Sequence, residues 1–233
     1  MTKSEPAKRR DGVGSGALLF QILAALLIAG AVLAWKLGST SSALFFGASG
    51  LGFAAPAASL GKLAKLRRRG TAPTQRSEDA IGWSSSRLPS IGYLALAAVA
   101  LLAGLTGFLW FGFDDNPFAY AVLTAIGAWG LVDSWRRWSR AAALTLTAKR
   151  LRTETHTAWI EVDWPQFVRA EGADHGNVLR IWMRDDPAPI PFPMNDFPIH
   201  PDDAAHVLNH IAQTPSARAN MTPASLQQIM LER

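Results

Sequence analysis

The chain predicts a membrane α-helical bundle of four transmembrane helices, followed by a small cytoplasmic β-rich α+β domain. Three observations carry this fold class. First, four long stretches, Ala17–Trp35, Ser42–Leu60, Ile91–Phe111 and Phe118–Val132, are apolar and almost free of charge, and charged or turn-forming residues bracket each one. About 20 apolar residues let a helix cross a bilayer, because no backbone group can stay unpaired in hydrocarbon. Second, Lys and Arg alternate between the flanks of these stretches. Third, from Ala141 onward the chain turns polar and alternates with the period of a strand.

Composition fits a mixed protein: 49% of the 233 residues are hydrophobic and 18% are charged. The charge is unevenly shared. Met1–Arg150 holds 17 Lys and Arg against 7 Asp and Glu, a net +10, whereas Leu151–Arg233 holds 6 against 11, a net −5. The basic balance therefore belongs to the membrane part. With no Cys, disulfides, thiolate nucleophiles and zinc–thiolate sites are excluded.

Residues 1–16 form a basic N-terminus with Lys3, Lys8, Arg9 and Arg10. Cations return at Lys62–Arg69, Arg76 and Arg87, and again at Arg136, Arg137 and Arg140, whereas the other two connections carry only Lys36 and the pair Asp114 and Asp115. Cytoplasmic flanks retain positive charge, so both termini are expected in the cytoplasm of a multi-pass cell-membrane protein. Trp35 and Trp110 then mark the outer interface, and Trp135 and Trp138 the inner one. A secretory signal ending near Val32-Leu33-Ala34 fits less well, since its apolar core would be too long and the Arg136–Arg140 end would face outward. Arg9-Arg10 lacks the following apolar residues of a twin-arginine signal.

Within the region 17–140, Ala48 and Gly52, Ala100 and Gly104, and Ala121 and Ala125 sit four apart on helical faces, as close helix packing requires. Ser49 lies in a glycine-rich run, but the Gly-x-Ser-x-Gly spacing is unmet and no His precedes His156 to act as its base. Ionisable groups inside spans mark transport. The strongest polar group in the first stretch is Gln21, and Asp133 is expected to pair with Arg136 or Arg137. The loop 61–90 reads as a connection. Lys62–Arg69 extends the second helix as a positive-inside anchor against headgroups, and Gly70-Thr71-Ala72-Pro73 breaks it.

The region 141–213 reads as a domain. Leu144–Thr147 and Leu151–Thr155 form a hairpin, Ile160–Trp164 alternates again, and Leu179, Ile181 and Met183 face inward from a further strand. A short strand lies around Ile190–Phe192. Pro201 opens a helix, with Asp202 and Asp203 complementing its dipole, that runs to about Gln213. Residues 214–233 supply a linker, Thr214–Met221, and a short helix opened by Thr222-Pro223 and ending at Leu231.

These patterns resemble the bacterial pleckstrin-homology-like domains often attached to membrane helices. The resemblance rests on the hairpin Leu144–Arg152, the strand leading into Trp164-Pro165-Gln166-Phe167, and Val178–Asp185 followed by Pro189–Phe192 and the Pro201 helix. It covers about a third of the chain, with a strand count low for a seven-stranded roll. It implies a module that binds rather than catalyses, and the scarcity of Lys and Arg beyond Arg150 and Arg152 favours a protein partner over an inositol lipid. His206 and His210 stand at i and i+4, with His200 before them, but no further ligand is placed by the sequence, so no metal is expected. Trp159, Trp164 and Trp182 read as core or interface residues. No catalytic residue, cofactor or nucleic-acid partner is expected, and a homo-oligomer is left open. The function expected is that of a non-enzymatic membrane scaffold. The alternative is a bundle that binds or moves a lipid or small molecule near Gln21 and Ser49.

Overall fold

In the computed structural model, which describes residues 12–77, 79–111, 117–155, 157–173 and 177–232, four long helices are joined to eight strands and three further helices. Helix α1 spans Gly12–Lys36, α2 Thr40–Arg69, α3 Leu88–Phe111 and α4 Pro117–Ser139. Two of them, α1 and α3, are long and apolar enough to cross a membrane. The other two are diluted: α2 by glycines and a cationic last turn, α4 by Asp133, Arg136 and Arg137. The basic residues before Gly12, Asp114, Asp115, His156 and the side chain of Trp110 lie outside the described residues.

The chain divides into two compact units, one built from Ala64–Ser85 and Ala143–Arg233, the other from Ser15–Leu63 and Ser86–Ala142. In the helical unit, neighbouring helices meet through glycine. A Cβ on Gly50 of α2 would lie 2.8 Å from Ile28 of α1, and one on Gly52 would lie 3.2 Å from Val99 of α3. Between α3 and α4, Gly104 faces the backbone of Tyr120 and Thr124, and Gly127 faces that of Leu101. The packing face of α4 thus runs through Thr124, Gly127 and Ser134. Ala121 and Ala125 lie on its exposed side, which corrects the small-residue face read from the sequence. Gln21 is exposed on α1 and Ser49 is half-buried. Asp133 accepts from Arg137 Nε at 2.8 Å, while Trp138 stacks with Arg87, whose guanidinium lies 5.6 Å from the ring centre.

The second unit holds two antiparallel sheets. Strands β1 (Thr74–Ser77), β2 (Ala80–Ser84), β3 (Ala143–Leu146), β4 (Arg150–Glu154) and β5 (Trp159–Asp163) form a five-stranded sheet in that order. Strands β6 (Phe167–Ala173), β7 (Val178–Met183) and β8 (Ile190–Pro193) form the smaller one. Helix α5 (Pro201–Gln213) follows, then α6 (Pro215–Ala219) and α7 (Pro223–Leu231). Buried Leu144, Leu146 and Leu151 of the large sheet, Leu179, Ile181 and Phe192 of the small one, and Val207, Leu208 and Ile211 of α5 form the core.

Reading 61–90 as a mere connection is corrected here. Helix α2 does run to Arg69 and ends at Gly70, whose φ of 67° suits a residue without a side chain. The next residues then become β1 and β2, and β2 pairs with β3 across Ile81↔Leu146, Gly82↔Thr145, Trp83↔Leu144 and Ser84↔Ala143. The reason is local. Ala80-Ile81-Gly82-Trp83 supplies β-formers, and Gly82 lets the backbone of Leu144 approach where a Cβ would collide with its carbonyl oxygen. The basic run is not wholly a headgroup anchor either: Arg67 is 3% exposed and donates from Nε to Phe197 O at 2.9 Å.

Candidate functional site

Unpaired strand edges invite further pairing, so folded proteins blunt them with bulges, prolines, charge or cover. The two sheets present four edges, and three are blunted. On β1 the register slips between Gln75 and Ser77, and all four residues are polar and exposed. On β8 the alternation Ile190-Pro191-Phe192-Pro193 removes two amide donors. On β6 a side chain from α5 substitutes for a strand: Asn209 Oδ1 accepts from Ala170 N at 2.8 Å and Asn209 Nδ2 donates to Ala170 O at 2.9 Å.

The fourth edge, β5, is open. It pairs with β4 in unbroken register from Arg150↔Asp163 to Glu154↔Trp159, and no described residue pairs with its other side. It is also apolar at its start. Trp159 is 63% exposed and Ile160 36% exposed, and Val168 on the adjoining β6 is 55% exposed. Alternation puts Trp159, Glu161 and Asp163 on one face with Arg150 and Arg152 of β4. Arg152 lies 5.3 Å from the Trp159 ring centre and bridges Glu154 Oε1 at 2.6 Å. Arg150 bridges Glu161 Oε2 at 2.7 Å and reaches to 3.8 Å of Asp163. The hydrogen bond and charge of Glu161, aided by Asp163, hold the Arg150 guanidinium above its ordinary pKa. The carboxylates beside this edge are thus paired with Arg150 and Arg152, while Arg152 Nε is shielded from solvent with no hydrogen-bond partner among the described residues.

A groove of about 500 Å³ lies at one end of the large sheet, lined by residues of the β1–β2 turn, the β3–β4 turn and the α6–α7 link. Lys149, Arg150, Arg218 and Asp79 are among the residues that line it.

Other residues singled out in the sequence have structural work. Trp164 is buried, donates to Thr147 O at 2.9 Å and stands edge-on to Phe167. Trp182 stacks with Arg169 at 4.5 Å. His200 is buried and caps α5, its Nδ1 accepting from Asp202 N at 3.3 Å. His206 and His210 lie half-buried along α5, and no group of three or more metal-ligating side chains forms among the described residues. Sequence reasoning missed β6 and the two strands of the 61–90 segment. The signal for β2 was present in Ile81 and Trp83, an apolar pair two apart inside an otherwise polar run. Comparison of the chain with protein-family models, with curated proteins and with solved structures finds no match.

Proposed function

We propose that this protein is a non-enzymatic membrane scaffold whose cytoplasmic domain captures a protein partner by strand addition along β5. The observation that carries this reading is the contrast between β5 and the other three edges. A regular edge that no described residue pairs, with an exposed Trp at one end, supplies the two requirements of β-augmentation, backbone groups for affinity and a side-chain contact for register. In this reading all four long helices cross the cell membrane, and both termini are cytoplasmic. The alternating Lys and Arg flanks support that orientation. The domain is a pleckstrin-homology-like roll. Two antiparallel sheets followed by a helix after the last strand support that assignment, and with β1 and β2 included the strand count is no longer low. The lipid-handling alternative gains no support from Gln21, which is exposed on α1.

The test is affinity purification of the full chain from native membranes in mild detergent, with retained proteins identified by mass spectrometry. We predict that the double variant Trp159→Ser/Ile160→Lys loses proteins that wild type and the opposite-edge variant Arg76→Ala both retain. Ile160 shares a face of β5 with buried Val162, so the thermal midpoint of the double variant is measured alongside, and a loss of partners with an unchanged midpoint reports the edge rather than unfolding. Retention of the same protein set by the double variant would remove the basis for this function. Truncation after Arg140 is a poorer test, because it also strips β2 of its neighbour β3.

A further inference from the structure

We infer that the segment added to β5 belongs to another integral membrane protein and lies just inside the end of that protein's own span, where Lys or Arg alternates with apolar residues. This inference rests on the strand-addition reading above and names the class of partner. Its first support is position. Across the large sheet Ser84 stands opposite Ala143, Ala143 opposite Glu154, and Glu154 opposite Trp159, so these four residues form one row. Residues 85–87 alone join β2 to α3, and 140–142 alone join α4 to β3, at most about 14 Å of chain in each case. That row is therefore the end of the sheet tied to the helices, and α3 is long and apolar enough to cross a membrane. Neighbouring strands lie about 4.8 Å apart, which puts Trp159 about 10 Å sideways from Ala143. The five-residue edge starts there and runs away from the helices to Asp163, about 17 Å in all.

The second support is the set of backbone groups that the edge offers. Thr155 N donates to Ala158 O, and Trp164 N donates to Lys149 O. Bonded pairs alternate along an antiparallel ladder, so Ala158, Ile160, Val162 and Trp164 turn their amides and carbonyls toward β4. Trp159, Glu161 and Asp163 turn theirs outward. Three residues are a small template. Even two strands joined by a turn are marginal in water, so a segment of this length diffusing freely would not stay on the edge. Confinement in the same membrane removes this limit, because tethering raises the effective concentration to about a millimolar.

Charge is the third support. The face that carries Trp159 presents Glu154, Glu161 and Asp163 against Arg150 and Arg152, three carboxylates to two cations. Asp163 is the outermost, its side chain 62% exposed and 3.8 Å from Arg150. Cations opposite Glu161 and Asp163 would complete this face. On the other face, exposed Ile160 calls for an apolar residue between those cations. Lys and Arg concentrate in the cytoplasmic flanks of membrane spans, so a segment from such a flank meets the demands of position and of charge together.

The experiment follows backbone amide exchange in the full chain in phosphatidylcholine nanodiscs. The probe is a synthetic span of about 20 Leu and Ala residues, flanked at both ends by Thr-Lys-Val-Lys-Val-Lys-Thr so that either orientation presents the tail. The control is the same tail without the span. In the chain alone, the amides of Trp159, Glu161 and Asp163 are expected to exchange as unprotected backbone. The spanning probe should slow them about ten-fold, whereas the free tail at about 10 µM, far below the tethered concentration, should leave them unchanged. Asp163→Lys should weaken the spanning probe about five-fold, and a probe with Glu in place of each Lys should recover the protection in that variant. No slowing by the spanning probe overturns the inference. Equal slowing by the free tail also overturns it, while leaving strand addition itself in place. Slow exchange in the chain alone that deletion of residues 2–10 relieves would assign the edge to the chain's own basic terminus, and would overturn it too. Failure of the strand-addition reading is seen separately, as retention of every protein by Trp159→Ser/Ile160→Lys in the purification above.

Discussion

Trp83→Ala is expected to destabilise the cytoplasmic unit by about 3–5 kcal/mol, the range for emptying a buried aromatic site. Trp83 is 1% exposed, lies opposite Leu144 across the β2–β3 ladder, and donates from its indole nitrogen to Thr71 O at 3.0 Å. Removing it opens a cavity at the seam between two distant parts of the chain and leaves that carbonyl without its donor. Domains are stable by only about 5–15 kcal/mol, so a loss of this size is a large share of the total. Trp83→Phe keeps most of the volume and loses the hydrogen bond, so a cost of about 1 kcal/mol or slightly more is expected. The check is a denaturant or thermal melt of the full chain in detergent, read by protease resistance of the C-terminal half. If 74–84 were a surface linker, Trp83→Ala would shift stability by no more than about 0.5 kcal/mol, and this account of the fold would be wrong.

The segment around Trp83 also shows where the sequence was readable and where it was not. Helix α5 was legible to the residue, because Pro201, Asp202 and Asp203 are start signals that act within one turn, and the apolar spacing Val207, Leu208 and Ile211 fixes its buried face. Strands β3, β4 and β7 were legible for the same kind of local reason, since their alternation is strong. Strand β2 was not. Its partner β3 lies some 60 residues downstream, beyond α3 and α4. Neither β1 nor β2 has a long alternating run of its own. A non-local ladder leaves little trace in the segment that joins it. Strand β6 was obscured by the slip between Phe167 and Arg169, which breaks the period of two. The β5 edge could not be read at all. Alternation marks a strand but does not say which strand ends a sheet, and the devices that blunt the other edges, such as Asn209 on Ala170, come from remote elements.

Charge was the most misleading signal, and Arg67 shows why. The run Arg67-Arg68-Arg69 reads as three equivalent surface cations, yet α2 turns Arg67 alone inward. Its Nε donates to Phe197 O, and its Nη2 donates to Met194 O and, at 3.2 Å, to Asn195 O, so one guanidinium gathers the turn between β8 and α5. Burying a charge is costly, and buried ion pairs can often be replaced by apolar groups without loss. That exchange is not open here, because the acceptors are backbone carbonyls that no side-chain substitution can remove. Arg67→Met keeps the length and apolar stem but leaves those carbonyls without their donor, so a loss on the order of 3–5 kcal/mol is expected. Arg67→Lys retains the charge as a single point without the fork, and should fall about halfway. The equivalent substitution at Arg68, which is exposed, should be nearly silent. Unfolding midpoints of the three variants in the same detergent decide the matter. The order wild type and Arg68→Met, then Arg67→Lys, then Arg67→Met identifies Arg67 as the staple between the end of α2 and the β8–α5 turn. Equal midpoints for Arg67→Met and Arg68→Met would mean that desolvation of the guanidinium cancels its hydrogen bonds, leaving the strand pairing of β2 with β3 to hold the 64–85 segment in the domain.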